Sequence, residues 1–204
     1  VEDKRHRAQV PNAPALSPSG AFTLEMWIKP KEQLNDTYPD SFLLDKKYVA
    51  HDDYQLVLGP AAKNGDRRLH ANLGFGNDSQ TYYSQPARFE PGRWRHIAFT
   101  YDGAGVGRFY LDGRSWGGGE FPGRKGISPG RHPLSIGDRV GSYHHGFPGF
   151  IDQVRITSGV REFRRLKLEQ VSDRRVFVRM EPDARLLLAV SNLQREGAAK
   201  AKVS

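Results

Sequence analysis

The chain contains no cysteine, which excludes disulfides and thiolate chemistry and leaves the redox compartment open. No run of 18 apolar residues occurs, so no segment reads as a membrane-spanning helix and no membrane insertion is expected. The start, VEDKRHRAQV, lacks the apolar stretch of a signal peptide. Helical patterning is equally scarce: only the short segment REFRRLKLEQ (161–170) reads as helix.

Charge of one sign is in excess. The net charge is +8, which raises the question of phosphate binding. The basic residues are nevertheless spread along the chain, with local densities at KRHR (4–7), REFRRLK (161–167) and DRRVFVR (173–179). No helix-turn-helix or RNA-recognition pattern accompanies them. They read as solvated surface, and no nucleic-acid partner is expected.

Turn formers and alternating strands are what the chain has in quantity. With 22 glycines and 13 prolines among 204 residues, many turns are expected. FTLEMWIKP (22–30) puts Phe22, Leu24, Met26 and Ile28 on one face and Thr23, Glu25, Trp27 and Lys29 on the other, the pattern of a half-buried strand with a tryptophan on its less apolar side. SFLLDKK (41–47), DYQLVLG (53–59), RLHANLGFG (68–76) and QTYYSQPA (80–87) follow as further strands. RWRHIAFTYDG and VGRFYLDGRS form a hairpin around DGAGVG, with HPLSIGD (132–138) and FPGFIDQVRIT (147–157) beyond it. RVFVRM (175–180) and RLLLAVSN (185–192) read as a closing pair. Roughly a dozen short strands without helices between them predict an all-β, two-sheet antiparallel sandwich, a jelly roll. One domain over 1–192 is expected, followed by a flexible basic tail or linker over 193–204.

Taken in order, five motifs carry a resemblance. They are Phe22-Thr23-x-Glu25-x-Trp27, Trp94-x-His96-x-Ala98-x-x-Tyr101-Asp102-Gly103, Tyr110-x-Asp112-Gly113, Ile136-Gly137, and Gly149-x-Ile151-Asp152-x-Val154-Arg155-Ile156. This succession resembles the laminin G-like domains of the concanavalin A-like lectin and glucanase superfamily, the group that includes the pentraxins. The resemblance implies a concanavalin A-like jelly roll whose central hairpin is scaffolding, with Asp102 and Asp112 capping turns. His96 then reads as a packed or hydrogen-bonded sheet residue, and Trp27 and Trp94 as core.

Enzymes also use this fold, but the residues do not match theirs. Retaining glucanases need two carboxylates about 5–5.5 Å apart, at alternate positions on one strand, and the Glu-x-Asp-x-x-Glu strand of those relatives is absent. REFR (161–164) matches one pattern of alginate-lyase-type sites but lies after the last core motif. No strand-to-helix turn that would form a nucleophile elbow is read, and no His-x-His pair occurs. A non-catalytic module is expected, with no organic cofactor.

Sugar sites present aromatic faces flanked by polar groups. Three stretches fit: QTYYSQ with Tyr82 and Tyr83, DGRSWGGGEF with Trp116 beside a glycine run, and GDRVGSYHHGF with Asp138, Arg139, Tyr143, His144 and His145. Trp116 reads either as an exposed platform or as core, and one of Tyr82 and Tyr83 faces inward. Many relatives bind calcium. The resemblance makes Asp152, expected to be buried, the position for a structural calcium ion, with Asp40, Asp52 and Asp53 as candidate co-ligands. The alternative for Asp152 is hydrogen bonding to backbone amides. These features predict a carbohydrate-binding, lectin-like module of a larger secreted or cell-surface protein of bacterial type. Its partners would be a polysaccharide or glycan and a catalytic domain linked in the same chain. The competing reading is a protein-interaction or adhesion module, which an aromatic cluster of Trp116, Tyr83 and Tyr143 would disfavour.

Overall fold

Phe22, Leu24, Met26 and Ile28 are fully buried on one face of a single strand, as their alternation requires, and the rest of the core assembles against them. The computed structural model describes residues 7–141, 146–163, 166–170, 188–192 and 198–200. The strands are β1 (Ala8–Val10), β2 (Phe22–Pro30), β3 (Ser41–Asp45), β4 (Tyr54–Leu58), β5 (Leu69–Gly74), β6 (Ser79–Tyr83), β7 (Arg95–Tyr101) and β8 (Val106–Leu111). They continue with β9 (Arg114–Glu120), β10 (Leu134–Ile136), β11 (Gly149–Ser158), β12 (Leu166–Gln170), β13 (Leu188–Asn192) and β14 (Ala198–Lys200). Among the described residues the helical content is one 3-10 turn, Pro14–Leu16.

Two antiparallel sheets form the sandwich, one ordered β1-β10-β3-β4-β5-β6 and the other β11-β2-β7-β8-β9. Between them lies a row of aromatic rings from both sheets. Tyr82 of β6 packs on Phe99 and Tyr101 of β7, with ring centroids 5.6 and 6.1 Å apart, and Phe99 meets Phe109 of β8 at 4.8 Å. The Tyr82 ring passes where a Cβ on Gly107 would stand, 2.5 Å away, so glycine at 107 lets the two sheets close on each other.

The central hairpin behaves as scaffolding. Asp102 Oδ1 accepts from the amides of Ala104 and Val106, both at 2.8 Å, which closes the turn. Asp112 adopts φ +50 in a two-residue turn with Gly113, the left-handed geometry that hairpin turns demand. Its carboxylate reaches back to β7, accepting from His96 N at 2.9 Å and Arg95 Nε at 2.7 Å.

The glycine run 117–119 lies within strand β9. A Cβ on Gly118 would stand 2.1 Å from Gly107 O, and one on Gly117 would stand 2.7 Å from Gln85 N, so these glycines serve close backbone approach. The segment read as helix over 161–170 contains strand β12. Within the residues expected as a flexible tail, Ala198–Lys200 forms strand β14. Strand β13 pairs with β12 and β14 in a separate three-stranded sheet, and RVFVRM (175–180) lies outside the described residues. By contacts the chain divides into two compact units, Val1–Arg161 and Glu162–Ser204.

Candidate functional site

Strand alternation governs which aromatics reach solvent. Trp116 occupies an inward position of β9, is 7 % exposed, and packs on Phe89 with ring centroids 5.8 Å apart. Its ring therefore offers no face to a ligand. Tyr82 is core, and its hydroxyl donates to Gly105 O at 3.2 Å. Tyr83, next in sequence, points the other way, half exposed and edge-on to His70 at 4.8 Å. Trp116 and Tyr83 thus share no surface, while Tyr143 and His144 lie outside the described residues, as does His145.

Asp138 is buried and accepts from Arg139 N at 2.7 Å. The Arg139 guanidinium lies over the rings of Tyr48 (4.9 Å) and Phe42 (5.5 Å). Asp45 ties this loop to the turn after β3, accepting from the amides of Lys47, Tyr48 and Val140 at 2.8–3.0 Å.

Asp152 is exposed, contrary to the expectation of burial. Strand β11 carries a bulge between Asp152 and Arg155, with Gln153 at φ +50. Ile151 and Val154 both turn to the core, and Asp152 beside Ile151 faces out, where it accepts from Gln153 N at 2.7 Å. Its proposed co-ligand Asp53 belongs to the other sheet and accepts from the buried Lys46 Nζ at 2.7 Å and Gly130 N at 2.9 Å. Among the described residues, Asp52 Oδ1, beneath Gly130, and Asp53 Oδ1 are buried without a hydrogen bond. Asp152 does not converge with Asp52 and Asp53, and among the described residues no group of three or more His, Cys, Asp or Glu side chains that could hold a metal ion comes together.

The structure assembles an aromatic surface elsewhere. On the outer face of the β11-β2-β7 sheet, Trp27 (38 % exposed), Trp94 (39 %) and Phe150 (49 %) come together. Cross-strand register places Trp27 opposite His96 and Lys29 opposite Phe150. The Lys29 ammonium lies 5.1 Å from the Trp94 ring centre and 4.8 Å from that of Phe150, and Lys31 lies 4.9 Å from Phe150. The reading of Trp27 and Trp94 as core is corrected. The signal was already in β2, where Trp27 alternates with Glu25 and Lys29 and not with the apolar set.

A second polarity organises the same face. Glu25 is buried and pairs with Arg155 at 3.1 Å, with Arg161, and with His96 Nε2 at 3.4 Å. Burial holds the His96 imidazole below the ordinary histidine value, opposed by Asp112 and reinforced by Arg155. At neutral pH the ring beneath Trp27, 5.2 Å away centre to centre, is accordingly uncharged. Lys29 and Lys31 are the cations that lie against the rings of Trp94 and Phe150.

The patch runs into a cleft of about 540 Å³ lined by Glu32, Leu34–Thr37, Gly65, Arg67, Arg88, Phe89 and Pro91. Glu32 follows Lys31 directly, and Pro91 is three residues from Trp94, no more than roughly 11 Å along the chain. Arg67 is buried in the cleft wall and donates to the carbonyls of Gly59, Asn35 and Tyr38 at 2.7–2.9 Å. These bonds fix the 35–38 loop. Among the described residues no helix is long and apolar enough to cross a membrane.

Comparison with known proteins agrees with this architecture. A search of the curated proteins found no match. Among solved structures, the heptameric SAP-like pentraxin of Limulus polyphemus is 16 % identical with a TM-score of 0.52, over 79 % of this chain and 80 % of that one. The sialidase CBM40 of Ruminococcus gnavus, bound to α2,3-sialyllactose, is 14 % identical with a TM-score of 0.51, over 70 % and 78 %. The ligand-binding domain of botulinum neurotoxin serotype D, in complex with N-acetylneuraminic acid, is 8 % identical with a TM-score of 0.58, over 90 % and 59 %. These likenesses show the fold. The Laminin_G_3 family model matches residues 3–163, and with the paired jelly-roll sheets this establishes that the chain belongs to that family of the concanavalin A-like lectin/glucanases superfamily.

Proposed function

We propose that the domain is a non-catalytic, lectin-like carbohydrate-binding module whose sugar platform is the Trp27–Trp94–Phe150 face. The observation that carries this reading is three large aromatic rings exposed together on one sheet, with Lys29 and Lys31 among them. Exposed aromatic faces stack on the apolar side of sugar rings, and desolvating them is favourable. The two ammonium groups favour an acidic polysaccharide, uronic or sulfated, in keeping with the net charge of +8. A module of a secreted or cell-surface bacterial protein, linked to a catalytic domain, suits such a role. Support also comes from glycan complexes of domains that share the fold, the sialidase CBM40 and the neurotoxin domain.

Polysaccharide cleavage is the reading this displaces. Glu32 and Asp36 line one cleft, but Asp36 is exposed and paired with Arg88 at 3.2 Å, not set in the apolar pocket a general acid needs. The test is affinity electrophoresis in gels carrying neutral or acidic polysaccharides, with and without chelator, comparing wild type with the Trp27→Ala/Trp94→Ala double variant. Retardation by an acidic polymer that survives chelation and is lost in the double variant is expected. If no polysaccharide retards the wild type, the domain is a protein-interaction module.

A further inference from the structure

We propose that the cleft beside the platform is a distinct subsite for a neutral sugar residue, gripping two neighbouring hydroxyls through Asp36 and Arg88. The inference rests on the reading of the domain as a glycan binder and names the sugar class that this second site takes.

The charges of the cleft are balanced. Arg67 and Arg88 face Glu32 and Asp36 across the same lining, two cations against two anions. A phosphate, sulfate or uronate gains nothing from such a site, whereas an uncharged polyhydroxylated ring meets donors and acceptors together.

Arg88 and Asp36 are arranged for that ring. An exposed ion pair contributes little to stability, yet this one is held by specific local geometry. The Arg88 guanidinium lies across the face of Gly65, where a Cβ would stand 1.1 Å from Nη1. Gly65 has φ +79, a left-handed conformation that glycine tolerates at no steric cost. Nη1 donates to Asn64 O at 3.3 Å and contacts Asp36 Oδ1 at 3.2 Å. Among the described residues, Nε and Nη2 of Arg88 and Oδ2 of Asp36 have no protein partner. Two donor nitrogens of Arg88 and a carboxylate oxygen of Asp36 are thereby left on one cleft lining, the kinds of partner that the hydroxyls of a vicinal diol, each able to give and accept a hydrogen bond, require.

The loop carrying Asp36 is fixed before any ligand arrives. Arg67 clamps the carbonyls of Asn35 and Tyr38. Asn35 Oδ1 accepts from the amide and the hydroxyl of Thr37 at 3.1 and 2.7 Å, and among the described residues its amide nitrogen has no partner. Leu34, Phe89 and Pro91 supply apolar wall for the C–H face of the ring. Little ordering remains to oppose binding.

Backbone amide shifts, followed by NMR, test the subsite. Uncharged methyl glycosides of mannose, galactose, glucose and arabinofuranose are compared with methyl glucuronide, on wild type and on the Arg88→Gln, Asp36→Asn and Trp27→Ala/Trp94→Ala variants. At least one neutral glycoside is expected to shift the amides of 34–37, 64–66 and 88–90, with the glucuronide weaker. Affinity should fall roughly ten- to a hundredfold in Arg88→Gln and Asp36→Asn, as loss of a hydrogen bond to a charged group implies. It should persist in the tryptophan double variant. Variant spectra otherwise matching wild type establish that the fold is intact. If no neutral glycoside moves these amides, or Arg88→Gln binds as wild type does, the subsite is refuted. Retardation by an acidic polymer that is lost in the tryptophan variant, with no neutral glycoside moving these amides, would leave the platform standing without the cleft. Amide shifts that are lost in Arg88→Gln, with no polysaccharide retarding the wild type, would leave the cleft standing without the platform.

Discussion

Trp116 packs against Phe89 with ring centroids 5.8 Å apart, which removes the tryptophan beside the glycine run from the surface and makes it part of the core. Trp116→Ala is accordingly expected to cost about 3–5 kcal/mol of stability. Trp27→Ala, on the solvent face, should change it by about 0.5 kcal/mol or less. Urea unfolding of both variants separates them; equal losses would show that the two rings are equally buried.

Gly107 lies under the Tyr82 ring. Gly107→Ala must push that ring aside in a packed interior, and a loss of about 1–3 kcal/mol is expected. The companion Gly107→Ala/Tyr82→Leu variant, in which a smaller side chain makes room, should recover part of it. Thermal melts of the pair check this, and an unchanged midpoint for the single variant would contradict the close approach.

Lys46 and Asp53 form an ion pair whose side chains are both fully buried, 2.7 Å apart. Removing only the ammonium, as in Lys46→Met, strands a buried carboxylate and should cost about 3–5 kcal/mol. Lys46→Met/Asp53→Asn removes both charges while asparagine still tolerates the φ of +50 at position 53. The double variant is expected to be markedly more stable than Lys46→Met in denaturant unfolding.

Burial holds the His70 imidazole below the ordinary histidine value, against the pull of Asp40 and with the help of Arg68. Its neutral form is favoured in the folded state, so the unfolded chain binds more protons in the window just below about pH 6.5. Stability should therefore be full above that value and decline as pH falls through it, with His96 acting in the same sense. His70→Gln should flatten the decline, measured as unfolding free energy from pH 7.5 downward.

Much of this protein was legible in one dimension. Alternation in 22–30, the two Asp-Gly turns and the ordered motifs from Phe22 to Ile156 specify the two-sheet sandwich, because a period of two has only one way to bury its apolar set. Trp27 was legible too, since its polar neighbours at 25 and 29 put it on the outer face. Other assignments needed the third dimension. Strand β9 was hidden by its glycines, whose role depends on the backbone of β8 and of residues 84–85 approaching them. The bulge after Asp152 lets Val154 as well as Ile151 face the core, so Asp152, opposite Trp27, stays on the outer face although apolar residues flank it. The cleft joins residues 32–37, 65–67 and 88–91, segments with no common pattern. Periodicity reports which face of a strand is buried, but convergence of separate loops is decided by how the sheets stack, and no local spacing encodes it.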